Sequence, residues 1–108
     1  ATRAVTHAPE SVAYDVRAGG RRLVYTGDTA PDPSLGAWAR GCDVLLTECS
    51  LPDDMAVPSH LTPSSVGELA AAAMMDRLDL PALVAARWPA AREPGRVVVA
   101  FDGWSAEV

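Results

Sequence analysis

Residues 11–29 read SVAYDVRAGGRRLVYTGDT, and this stretch decides the fold. Val12, Tyr14 and Val16 alternate with Ala13 and Asp15, the period-two pattern of a strand with one face on a core. Residues 18–21 (AGGR) form a turn, because paired glycines accept the positive φ that a tight hairpin demands. Residues 22–26 (RLVYT) resume as a second strand. Gly27-Asp28-Thr29 then ends that strand, and Pro31 and Pro33 stop any continuation. The stretch is therefore a hairpin whose second strand ends on a carboxylate.

Downstream of the hairpin, Asp32-Pro33 opens a short helix as N-cap and first-turn proline. Leu35, Trp38 and Ala39 share its apolar face, and Gly41 closes it. Residues 43–47 (DVLLT) form a short apolar run, read as a buried strand ending at Glu48. Residues 50–59 carry two prolines and adjacent aspartates, which makes a loop. Thr62-Pro63 opens the longest helical pattern, with Val66, Leu69, Ala70, Ala73 and Met74 at helical spacing. This predicts a helix over 62–78, packed on one sheet face through Val66, Leu69, Ala73 and Met74. Pro81 ends the segment. Residues 82–85 and 96–100 read as strands, and the stretch between them has no clear assignment. Strands alternating with helices in this order give an α/β fold with a mixed sheet.

The chain has 108 residues, one domain's length. Hydrophobic residues make up 49% and charged residues 21%, as in ordinary globular proteins. No apolar run approaches the ~20 residues of a membrane span. No basic segment followed by an apolar stretch marks a secretory signal, so a cytoplasmic location is expected. The net charge of −5 argues against binding nucleic acid through a broad basic surface. It leaves room for a phosphate substrate held by metal ions, which bring their own positive charge. All nine basic residues are Arg, and Lys, Ile, Asn and Gln are absent, a bias that suggests a high-G+C bacterial genome. Cys42 and Cys49 lack CxxC spacing and read as buried or free thiols.

Four polar residues fall at the ends of these elements, where sites are usually built. His7 precedes the first strand of the hairpin, Asp28 follows the second, Glu48 follows the third strand, and His60 stands just before the long helix. Asp28 in Gly-Asp-Thr can serve as a hard metal ligand, with Gly27 allowing close approach and Thr29 steadying the carboxylate. His supplies the nitrogen that zinc favours. Glu48 beside His60 would make a carboxylate–imidazole pair for proton transfer. Spacing alone favours plainer roles: a turn or cap for Asp28, and solvent-exposed loop positions for His7, Glu48 and His60.

Four segments, in this order, resemble the C-terminal half of the metallo-β-lactamase fold in its ribonuclease Z-like branch. They are residues 7–16 (HAPESVAYDV), 23–29 (LVYTGDT), 43–49 (DVLLTEC) and 59–72 (SHLTPSSVGELAAA). Phe101-Asp102-Gly103 resembles a phrase common near the C-terminus of such proteins. The resemblance implies half of a four-layer αββα sandwich, with helices on one face of a mixed sheet. It implies that His7 binds a first metal, that Asp28 bridges two zinc ions, and that Glu48 and His60 form a catalytic pair assisting the leaving group. Thr62 matches the helix-capping position. The implied activity is hydrolysis by water activated at zinc, with phosphodiesters as substrate class and lactones, thioesters or β-lactams as rivals.

The chain departs from the family pattern in two places. The HxHxDH signature of the family's N-terminal half is not in this sequence, and His7 and His60 are its only histidines. The family's final histidine would fall within residues 85–89 (AARWP), where Ala or Arg stands in its place. The implied partners are therefore a missing N-terminal half, or a second chain, which could form a homodimer. With two ligands of its own, the chain alone is expected to bind zinc weakly or not at all. A degenerate, non-catalytic relative is the competing reading, and an unrelated α/β binding module is a third.

Overall fold

The computed structural model describes residues 1–73 and the backbone of two further short strands. A four-stranded sheet has the order β1-β2-β3-β4, formed by β1 (Thr2–Ala4), β2 (Val12–Ala18), β3 (Arg21–Tyr25) and β4 (Val44–Leu46). β1 and β3 run antiparallel to β2, whereas β4 runs parallel to β3, so the sheet is mixed as expected. Gly19 and Gly20 join β2 to β3 with φ of +57° and +75°. Two successive positive φ values make a two-residue turn that matches the right-handed twist of the strands. The parallel β3–β4 pair requires a crossover, which α1 (Pro33–Ala39) supplies. α2 (Pro63–Ala73) follows β4 across a loop containing a 3-10 turn, Asp53–Met55.

Both helix starts follow their sequence signals. The Asp32 carboxylate accepts from the Ser34 N–H at 2.8 Å, with Pro33 in the first turn. Thr62 donates its N–H to Ser65 Oγ at 2.7 Å, while its Oγ1 accepts from the Ser65 N–H at 3.5 Å. Asp53 secures the same helix start from outside, accepting from the Ser64 N–H at 3.0 Å and the Ser64 hydroxyl at 2.9 Å. Residues 74–78 of the expected helix, Met74 included, lie outside the described residues, as does the expected strand 82–85. Of the expected strand 96–100, β6 (Val97–Val98) is described, paired antiparallel with β5 (Arg92–Glu93) in the stretch the sequence left unassigned.

The core lies between the helices and one face of the four-stranded sheet. Val5, Ala13, Leu35, Leu61, Val66 and Leu69 form one buried cluster, and Val24, Ala39, Cys42 and Ala73 a second. Trp38 and Leu45 pack against both. Each fully buried Leu contributes roughly 1.5–3 kcal/mol relative to exposure. The buried face of β2 carries Ala13 and Asp15, whereas Tyr14 and Val16 face outward. The more apolar side of the strand is thus the uncovered one. A buried aspartate needs partners, and Arg17 and Arg22 supply them, at 3.1 and 3.0 Å from Asp15 Oδ2. Arg22 also donates to the carbonyls of Trp38 and Arg40, satisfying the C-terminal end of α1.

Candidate metal centre

Three loops at one end of the sheet bring the candidate residues together. His7 lies in the β1–β2 connection, whose backbone folds on itself through bonds from Val5 N–H to the Ser11 carbonyl and from Ser11 N–H to the Ala8 carbonyl. Asp28 follows β3 just after Gly27, whose φ is +60° and whose missing side chain leaves room for the Val12 carbonyl; a Cβ there would sit 3.2 Å from it. The Ala30 N–H donates to the Thr6 carbonyl at 2.7 Å and straps the Asp28 loop to the His7 loop. His60 ends the loop before α2.

His7, Asp28 and His60 each offer a ligand atom, and these atoms lie within 4.8 Å of one another. The rings of His7 and His60 meet edge to face with centroids 4.9 Å apart. His7 and Asp28 are exposed and His60 is half-buried, so the cluster opens to solvent. Two imidazoles and a carboxylate form a nitrogen–oxygen donor set that zinc accepts. A tetrahedral zinc with ligands at 2.0–2.2 Å places them about 3.4 Å apart. Small side-chain rotations would close the cluster to that size. The residues present fit a metal of this class: His7 and Asp28 would supply the two ligands that the resemblance implies, with the His60 ring beside them.

Glu48 sits behind the cluster and meets His60 as expected: His60 Nδ1 lies 3.0 Å from Oε1 and 3.2 Å from Oε2. Oε1 also accepts the Thr29 N–H at 2.8 Å, and Oε2 accepts the Ser50 hydroxyl and the Leu61 N–H, the latter at 3.3 Å. Burial pushes the Glu48 carboxyl up, but the bonds from Ser50, Thr29, His60 and Leu61 outweigh it and hold the pKa below its ordinary value. An ionised carboxylate only accepts, so the proton between the two groups belongs to His60 Nδ1. Nε2 is then the nitrogen left for a ligand or a proton. The bonds to Thr29 and Leu61 are invisible in the sequence, because they join Glu48 to backbone groups 19 and 13 positions away.

The cysteines take no visible part. Both are free, and burial raises both thiol pKa values, that of Cys49 to about 11. Thiolates are therefore scarce at neutral pH.

A family model described as "Beta-lactamase superfamily domain" matches residues 1–82 of the 108. The chain belongs to that superfamily, and its mixed sheet with helices on one face is part of a metallo-hydrolase-like fold. No curated protein and no solved structure matches it significantly. Among the described residues, no helix is long and apolar enough to cross a membrane. The segment where the family's final histidine would stand, residues 85–89, lies outside the described residues.

Proposed function

We propose that the chain is the C-terminal half of a zinc-dependent hydrolase domain acting on phosphodiesters, in the manner of the ribonuclease Z-like branch. The observation that carries this reading is the convergence of His7, Asp28 and His60 from separate loops, with Glu48 held against His60 Nδ1. His7 and Asp28 would hold the metal, which when bound supplies Lewis acidity and activates water. His60 moves a proton at Nε2 toward the leaving oxygen, while Glu48 fixes the ring's orientation and the proton on Nδ1. A phosphodiester suits this pair because its alkoxide leaving group needs a proton. The outward apolar face of the sheet, with Tyr14, Val16, Tyr25 and Leu46 exposed, supports a partner half-domain seated on it.

The test is zinc-supplemented hydrolysis of a dinucleoside phosphodiester, whose leaving group is an alkoxide, by a polypeptide carrying the complete domain. The expected result is turnover that falls by about 10²–10⁴ in His60→Ala, the usual span for a lost proton-transfer group. Cleavage of lactone, thioester or β-lactam with no phosphodiester turnover would reassign the substrate. A zinc-loaded domain with no turnover on any of them would favour the degenerate reading, which the Ala or Arg in place of the family's final histidine supports.

A further inference from the structure

The bonds of Glu48 reach past its histidine. Oε1 receives both the Thr29 N–H and His60 Nδ1, at 2.8 and 3.0 Å, so one oxygen atom touches both sides of the cluster. The Thr29 N–H belongs to the peptide that leaves Asp28, and its orientation fixes where the Asp28 side chain starts. Thr29 is fully buried, with its hydroxyl donating to the Ala30 carbonyl. Oε2 receives the Leu61 N–H and the Ser50 hydroxyl, which locks the carboxylate and the backbone just after His60. Leu61 is itself a core residue, so the bond ties the carboxylate to the packed interior.

We propose that Glu48 is a positioning residue shared by Asp28 and His60, and that this single carboxylate sets the separation of the two side chains. Its consequence for metal binding rests on the function proposed above, whereas the positioning itself does not. A carboxylate suits the role because its two oxygens accept several bonds at once and donate none. An amide of the same length has one acceptor oxygen. It can serve the partners of Oε1 or those of Oε2, but not both.

The test needs no metal. In the ¹⁵N-labelled chain, His60 should carry its proton on Nδ1, and the Thr29 amide should exchange slowly. In Glu48→Ala, the Thr29 amide should exchange at least about tenfold faster, the scale of a lost hydrogen bond to a charged group, and the His60 ring should lose its Nδ1–H preference. The Val24 amide in β3 should stay protected. In His60→Ala, Thr29 should keep its protection, because Glu48 remains. If Glu48→Ala also exposes Val24, Glu48→Gln decides: faster exchange at Thr29 or Leu61 supports the proposal, and unchanged exchange at both overturns it. A folded Glu48→Ala in which only one of the two readouts moves overturns it as well. Failure of the zinc-dependent hydrolysis with these NMR results intact would reject the function and leave the positioning role standing.

Discussion

Asp15 shows how a residue can sit on the side of a strand that its neighbours' hydropathy does not suggest. It is buried, and bonds from Arg17 and then Arg22 outweigh desolvation and hold its pKa at about 2. The period-two pattern of β2 was legible, but the identity of its buried face was not. That face is chosen by Arg22, which arrives from β3 and joins Asp15 to the end of α1. Sequence distance hides the same kind of link at Glu48. A carboxyl depressed in the folded state contributes stability above its unfolded pKa, and that stability is lost as pH falls through the folded value. Asp15 should therefore weaken the protein progressively from about pH 4 down to about pH 2. In urea unfolding over that window, Asp15→Asn should show a shallower pH dependence than the parent and lower stability at neutral pH. Identical pH profiles would show that the ion pairs of Asp15 with Arg17 and Arg22 add nothing to stability.

At the level of elements, the short-range signals read well. Asp32-Pro33, Gly41, Thr62-Pro63 and Gly19-Gly20 each act through bonds or dihedrals within a few residues, and each holds in the structure. β1 was not anticipated. Its three residues carry no alternation, and they become a strand only because β2 offers an edge. The closeness of α1 and α2 was not anticipated either. Gly36 lies inside α1, and a Cβ there would fall 2.5 Å from Ala72 Cβ and 3.2 Å from the Leu69 carbonyl. Gly36→Ala should gain up to about 1 kcal/mol in helix propensity. It should lose more, about 1–3 kcal/mol, by forcing the helices apart. The net expectation is a lower urea midpoint with an unchanged slope. A higher midpoint would show that α2 yields to the methyl group at little cost.

The whole molecule joins a packed face, an open face and a cluster at one end of the sheet. Helices cover Ala13, Val24 and Leu45, whereas Tyr14 stacks on Tyr25 across the open face with ring centroids 6.5 Å apart. The placement of His7, Asp28, Glu48 and His60 at element ends was legible, since each follows from where a strand or helix stops. Their convergence was expected only through the family resemblance and not from local spacing, because it depends on the crossover through α1 and on the straps Ala30–Thr6 and Thr29–Glu48. We propose one site, in which His7 and Asp28 hold the metal and the His60 ring stands beside it. Zinc titration of the chain, followed through the ring resonances of His7 and His60, tests it most directly. Both rings should shift together with a single midpoint, weakly in this chain alone, and Asp28→Ala should abolish the joint shift. Rings that respond at different midpoints, or a joint shift that survives Asp28→Ala, would contradict it.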